Sequence, residues 1–303
     1  MPVGRFAPSP SGRMHLGNAF AALLAWLSVR AQNGTMVLRI EDLDPARCRP
    51  EYVTQLRADL RWLGLDWDTE VTPQSRRTEA YAAAFDRLGE LVYPCYCSRG
   101  ELLAASAPHL SDGRSVYPGT CRDLTPEQRA QKTKAPCWRL RVPDRTITVD
   151  DGLQGPYSEN LARETGDFIV CRADGVYAYQ LAVVVDDIAA GVTEVVRGRD
   201  LLSSTPRQIY LYELMGAAAP RFAHVPLLLA QDGRRLSKRE RDLDLGALSA
   251  RMTPERLLGQ LAHWAGLHET AEPTTARDLI ADFDWSRVRA GDVFVPDGWE
   301  EQL

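Results

Sequence analysis

The chain opens on a short apolar run, residues 3–7 (Val-Gly-Arg-Phe-Ala), which reads as a buried strand. Pro8, Pro10 and Gly12 break it, and residues 16–31 then carry Ala, Leu and Trp on most faces. All-round apolarity of that kind belongs to a helix packed inside a layered fold. Asn33-Gly34 marks a turn, 36–40 the next strand, and helical periodicity returns at about 51–63 and 78–91. A strand–helix–strand opening predicts an α/β layered domain.

The texture changes near Tyr93. Residues 93–145 cluster Cys, Pro and Gly with little periodicity, as an inserted module would, and regular pattern resumes near Asp167. The strongly apolar stretch 176–187 reads as a strand, 205–215 as an amphipathic helix with Ser203-Ser204 available as caps, and 224–229 as a further strand. From 243 onward the pattern is mostly helical, with Thr253-Pro254 as a helix start. The expected division is 1–92, 93–168, 169–240 and 241–303.

The 303 residues are 45% hydrophobic and 25% charged, an ordinary globular composition. No apolar run approaches the roughly 20 residues that cross a bilayer, and the N-terminus lacks a secretory layout. A soluble cytoplasmic protein is expected. The net charge of −5 argues weakly against a nucleic-acid partner, but residues 240–303 hold 13 acidic and 6 basic side chains and so carry net −7. The remaining body is net +2 and has room for a local basic face. Six cysteines are too sparse for a disulfide scaffold, and three of them, Cys95, Cys97 and Cys121, fall close enough together for a metal site.

Two loops carry nucleotide chemistry. Residues 8–18, with Gly12, His15, Gly17 and Asn18, sit between a strand and a helix, where unsatisfied N–H groups and the helix dipole favour phosphate. Taken alone, the segment also fits an ordinary Pro/Gly turn. Far along the chain, Asp232-Gly233 is a tight-turn signal followed by a cationic stretch through Ser237 and Lys238. Lysine appears only three times against 33 arginines, so its use at 238 stands out. A mobile ammonium there can follow charge that moves during nucleotidyl transfer.

Together the loops resemble the signature pair of class I aminoacyl-tRNA synthetases, His15-Leu16-Gly17-Asn18 being similar to HIGH and residues 235–239 (Arg-Leu-Ser-Lys-Arg) to KMSKS. Residues 5–12, 38–44, 179–187 and 196–201 resemble the glutamate/glutamine branch. Asn18 replaces the second His of HIGH and Arg235 the first Lys of KMSKS, while His15 and Lys238 remain. The chain lacks the length for a large anticodon-binding region, and this short form resembles the glutamyl-queuosine tRNA(Asp) synthetase family. The resemblance implies a Rossmann-like catalytic domain (1–92 and 169–240) with a zinc-stapled insertion (93–168) and a helical C-terminal segment (241–303). It implies glutamate activation with ATP and Mg²⁺, then transfer to the queuosine base in the anticodon loop of tRNA(Asp), whose anticodon arm the catalytic body grips. A monomer is expected.

A pocket for glutamate needs a guanidinium for a carboxylate and an acid for the ammonium. Arg5 and Glu41 end the first two strands and Arg197 precedes the turn at Gly198, positions where α/β sheets place ligands. The resemblance assigns the same three to the amino acid, with Ser9 and Tyr179 as partners, and gives ATP to His15, Gly17, Asn18, Ser237 and Lys238. It also implies zinc on Cys95, Cys97, Cys121 and Tyr117. Ligand softness would instead nominate Cys137 or His109 as fourth donor. Rival readings are a truncated glutamyl-tRNA synthetase charging the 3′ end, a non-catalytic tRNA-binding paralogue and an unrelated adenylyl transferase of the same fold.

Overall fold

The computed structural model describes residues 1–98, 116–234, 236 and 244–301. Strand β1 (Val3–Phe6), helix α1 (Leu16–Ala31), β2 (Thr35–Leu38), α2 (Pro50–Trp62), β3 (Thr69–Glu70) and α3 (Thr78–Leu88) form the first half of a mixed α/β domain. β1 and β2 are parallel with Val3 opposite Thr35, and β3 joins β2 in the same sense. α1 lies close on β1 because Gly4 has no side chain: a Cβ there would meet Val29 Cγ2 at 2.3 Å.

An antiparallel region follows, made of β4 (Val92–Cys95), α4 (Pro126–Ala130), β5 (Cys137–Leu140), the β6 (Thr146–Asp151)–β7 (Gly155–Asn160) hairpin and β8 (Phe168–Cys171). The order is β4-β5-β8, with β6-β7 a separate pair. The chain then returns through α5 (Tyr179–Ala189), β9 (Glu194–Gly198), α6 (Thr205–Leu214) and β10 (Arg221–Val225), with β9 and β10 parallel. β9 lies beside β1, where Thr193 N–H donates to Val3 O at 2.9 Å. The resulting lateral order, β3-β2-β1 then β9-β10, reverses its winding between β1 and β9, the place where doubly wound folds bind ligands. The tail adds β11 (Leu228–Leu229), α7 (Leu245–Ser249), α8 (Pro254–Ala265), α9 (Leu279–Asp282) and β12 (Val293–Phe294).

Three expectations need correction. Residues 176–187 hold helix α5, not a strand. Its apolar run has no period because Leu181, Ala182, Val183 and Val184 are all buried, and such a run does not distinguish the two states. The consecutive acids decide it: Asp186 and Asp187 are both buried, whereas on a strand they would face opposite sides. Ser204 starts α6 without a side-chain cap; a 3₁₀ turn, Arg199–Ser204, leads in instead. Among the described residues of the tail, α-helix falls in three pieces, of which α8 alone is long; its Thr253 does cap, accepting from Arg256 N–H at 3.4 Å. α8 contributes Leu257, Leu258 and Leu261 to the core shared with α1, each worth about 1.5–3 kcal/mol on burial.

Below the junction of the two half-sheets lies Arg39, fully buried. Its guanidinium donates to Glu41 Oε1 at 2.9 Å and to Asp187 Oδ1, and Asp186 Oδ2 is 3.8 Å from its Nε. Asp186 also accepts from Gln74 Nε2 (2.7 Å), Arg77 Nε (2.6 Å) and Tyr81 OH (2.9 Å). This cluster ties β2 to α5. Arg39→Met leaves the carboxylates uncompensated, and denaturant unfolding is expected to show a loss of about 3–5 kcal/mol. A loss within about 0.5 kcal/mol, the range of ordinary surface changes, would contradict this account.

Candidate active site

The first nucleotide-type loop lies where sequence places it. His15 precedes α1 in extended conformation (φ −95°, ψ 163°), and its N–H donates to Asn18 Oδ1 at 3.3 Å, so the Asn18 side chain braces the helix start. Nothing lies within 4 Å of where a Gly17 Cβ would be, and that side of the helix faces open space in a cleft of about 640 Å³. Ser9, exposed, lies on the same cleft and accepts Ser11 N–H at 2.8 Å through its carbonyl.

Ser237 and Lys238, with Arg235 and His109, lie outside the described residues. The residues flanking 237–243 are described. Leu236 lines the cleft with His15. Asp244 forms an antiparallel bridge with His15, Leu245 N–H donates to Met14 O at 2.9 Å, and Asp244 Oδ1 is 3.8 Å from Arg13 Nη1. Gly233 has φ +81°, and Arg234 N–H donates to Asp232 Oδ1 at 3.0 Å, making the expected Asp-Gly turn.

Arg5, Glu41, Tyr179 and Arg197 line the same cleft, at the switch point between β1 and β9. Arg5 and Arg197 are 6% exposed and Glu41 8%. Arg5 Nη1 donates to Val196 O at 3.3 Å, and its Nε is 3.8 Å from Asp187 Oδ1. Burial pushes the Glu41 carboxyl up, against the pull of Arg39 and then Arg5. Burial draws the Arg197 guanidinium down, and the positive charge of Arg5 adds to that, although an arginine stays charged. Burial also raises the Tyr179 hydroxyl, which stays a neutral donor. Two buried guanidiniums and one buried carboxylate on a single cleft suit a molecule with two carboxylates and one ammonium.

Four partners of these groups escaped the sequence reading. Arg39 and Glu41 stand two apart in an extended segment, so they share one face; that spacing was the available signal. Arg197 donates from Nε to His224 Nε2 at 3.0 Å and from Nη2 to Thr205 Oγ1 at 2.9 Å. His224 is fully buried, and its Nδ1 lies 2.5 Å from Asp151 Oδ2. The signal there was a lone histidine in an apolar run.

The sulfur atoms of Cys95, Cys97 and Cys121 all lie within 4.8 Å of one another. Tyr117 OH is 3.4 Å from Cys95 Sγ and accepts Cys121 N–H at 2.8 Å. Cys137, opposite Cys95 across β4 and β5, turns its thiol to Cys95 O at 3.4 Å and stands outside the trio. Hydrogen bonds, first from Cys137 and then from Tyr117 and Arg139, draw the Cys95 thiol down to about 4 against burial. Three convergent thiols could hold a thiophilic metal ion, with the Tyr117 oxygen beside them.

The fold and cleft define a class I synthetase catalytic domain: the family described as tRNA synthetases class I (E and Q), catalytic domain, matches residues 3–285. A glutamate tRNA ligase from Elizabethkingia meningosepticum, solved in complex with its amino acid, superposes with a TM-score of 0.83 at 25% identity, covering 99% of this chain and 68% of that one. A glutamyl-Q tRNA(Asp) synthetase of Nitratidesulfovibrio vulgaris is 51% identical over 91% of this chain and 90% of its own. One from Symbiobacterium thermophilum is 50% identical over 98% and 96%. The chain belongs to the glutamyl-Q tRNA(Asp) synthetase family of class I synthetases. No helix among the described residues is long and apolar enough to cross a membrane.

Burial, first, and the neighbouring Arg197 hold the His224 pKa below its ordinary value. Unfolded chains therefore bind a proton near pH 6.5 that the folded chain refuses, and this contribution to stability is full above that pH and lost as pH falls through it. Melting temperatures of the protein and of His224→Gln, compared from pH 7.5 to 5, are expected to converge toward the acid end; parallel curves would contradict the assignment.

Proposed function

We propose that the chain activates L-glutamate with ATP to glutamyl-adenylate and transfers the glutamyl group to the queuosine base in the anticodon loop of tRNA(Asp). The observation that carries this reading is the cleft that runs from the His15 loop to the Arg5–Glu41–Arg197 group. Members of the class use ATP with Mg²⁺, and the relatives named above supply the acceptor. In this reading Glu41 takes the ammonium, Arg5 and Arg197 take the carboxylates, and Ser9 and Tyr179 add hydrogen bonds. A carboxylate oxygen of glutamate attacks the α-phosphorus of ATP and the bond to pyrophosphate breaks. His15, Gly17 and Asn18 border the nucleotide, and Ser237 and Lys238 complete its site. The chemistry is then positioning and electrostatic stabilisation, with no covalent enzyme intermediate. A hydroxyl of the acceptor next attacks the glutamyl carbonyl, and AMP leaves.

In this reading the catalytic halves span 1–92 and 169–240, an insertion spans 93–168 and a C-terminal segment 241–303, and the chain works as a monomer. One structural zinc sits on Cys95, Cys97, Cys121 and Tyr117, where it would fold a region with a small core of its own.

ATP–pyrophosphate exchange is expected with glutamate in the absence of any RNA, and labelled glutamate is expected on tRNA(Asp) carrying queuosine but not on the same tRNA lacking it. Exchange that waits for tRNA, or label on the 3′ end, would favour a glutamyl-tRNA synthetase activity instead. Lys238→Ala should lower exchange by roughly 10²- to 10³-fold, the effect of removing one aimed charge. For the metal, elemental analysis should find one zinc per chain, with affinity weakened by Tyr117→Phe and unchanged by Cys137→Ser; the opposite order would make Cys137 the fourth donor.

A further inference from the structure

Arg197 is held from behind. Its Nε donates to His224 Nε2 at 3.0 Å, and its Nη2 donates to Thr205 Oγ1 at 2.9 Å. Nη1 has no hydrogen-bond partner among the described residues, while the side chain lines the cleft. A guanidinium is always a donor, so His224 Nε2 must be the unprotonated nitrogen. The ring proton is then on Nδ1, which donates to Asp151 Oδ2 at 2.5 Å. The other oxygen, Asp151 Oδ1, accepts three backbone N–H groups, from Leu153 (3.1 Å), Gln154 (2.9 Å) and His224 (3.1 Å). Thr205 Oγ1 also lies 3.3 Å from Nε2, where its hydroxyl can donate to the unprotonated nitrogen, so this tautomer suits both neighbours of the ring.

We infer that Asp151 and His224 are positioning residues for the glutamate site: Asp151 fixes the His224 tautomer, and that tautomer aims Arg197 at the substrate carboxylate. The inference rests on the proposed role of Arg197. Neither residue lines the cleft, and Asp151 comes from the β6–β7 hairpin, outside the parallel sheet. The imidazole is also fixed in plane, stacked on Phe222 with 14° between the rings. An imidazolium would turn Nε2 into a second donor facing Arg197, and its burial and the adjacent guanidinium both oppose that charge.

Asp151→Asn tests the relay with no change of shape. The three backbone N–H groups keep the amide oxygen at the Oδ1 position, so the amide NH₂ faces His224 Nδ1. The ring must then accept there and carry its proton on Nε2, donor against donor with Arg197 Nε. One unmet buried hydrogen bond corresponds to roughly a 10- to 100-fold effect. In ATP–pyrophosphate exchange with the full chain, Asp151→Asn is expected to raise KM for glutamate by that factor and to leave KM for ATP within about two-fold. His224→Gln places an amide oxygen that can accept from Arg197 and has no tautomer to set, so adding Asp151→Asn to it should raise KM for glutamate no further.

Arg197→Met separates the role of Arg197 from that of the two residues behind it. If it leaves KM for glutamate unmoved, the reading of Arg197 fails and the relay with it. If it raises KM while Asp151→Asn does not, the relay alone is overturned. Equal rises in both KM values, or an undiminished further rise in the His224→Gln background, mark a merely structural role and also overturn it. Should Asp151→Asn fail to fold, His224→Phe, which keeps an aromatic ring beside Phe222 but offers no acceptor, carries the same test: an unchanged KM for glutamate overturns the relay.

Discussion

The fully buried guanidinium of Arg39 is the interaction on which the cleft depends. Three carboxylates, those of Glu41, Asp186 and Asp187, converge on it. Burial by itself would drive such acids toward their neutral forms. At Glu41 the two effects compete: desolvation pushes its carboxyl up and Arg39, first, pulls it back. A neutral Glu41 would offer an ammonium group little. The strongest influence favouring the charged form of Glu41 comes from a residue behind it, outside the cleft lining. Asp187 extends the same logic to Arg5, whose Nε lies 3.8 Å from the oxygen that also accepts from Arg39.

Much of this was legible in sequence because β strands and helix starts are local. The strand ending in Arg5, the turn at 8–12 and the α1 helix from Leu16 to Ala31 follow from alternation, breakers and apolar periodicity. Other elements depart from their local pattern for an identifiable reason. In α5, Leu181, Ala182, Val183 and Val184 are buried in succession, so the run reads as continuously apolar, and valine-rich composition points the wrong way. Beyond Gly266 the tail is organised by long-range contacts with irregular backbone, such as Leu227 N–H on Asp292 Oδ1 at 2.9 Å, and no local pattern announces those.

The cysteine region shows a different limit. Spacing identified Cys95, Cys97 and Cys121 as a group, but chemistry alone could not choose among Tyr117, Cys137 and His109 for a fourth donor. The structure places the first two differently around the trio. Cys137 is the cross-strand neighbour of Cys95, and its thiol faces both the Cys95 carbonyl and the Cys95 sulfur. Tyr117 reaches in from a loop whose backbone is packed against Gly166: a Cβ there would lie 2.4 Å from Tyr117 O, and φ is +70°. Only glycine fits both demands.

The same distinction, between groups that meet a ligand and groups that aim them, applies on the arginine side of the cleft. A motif such as Val196-Arg197-Gly198 identifies the guanidinium but not its direction. Direction comes from Thr205 at the start of α6 and from His224 in β10, and the state of His224 comes from Asp151. These residues are spread over 73 positions between Asp151 and His224, and they arrive on one line only when the β6–β7 hairpin lies against the β10 edge, with Gly152 N–H donating to Phe222 O at 2.8 Å. Contact with substrate leaves a short motif in a sequence; orientation is written across elements that fold together, and its chemistry becomes visible once donors and acceptors are assigned atom by atom.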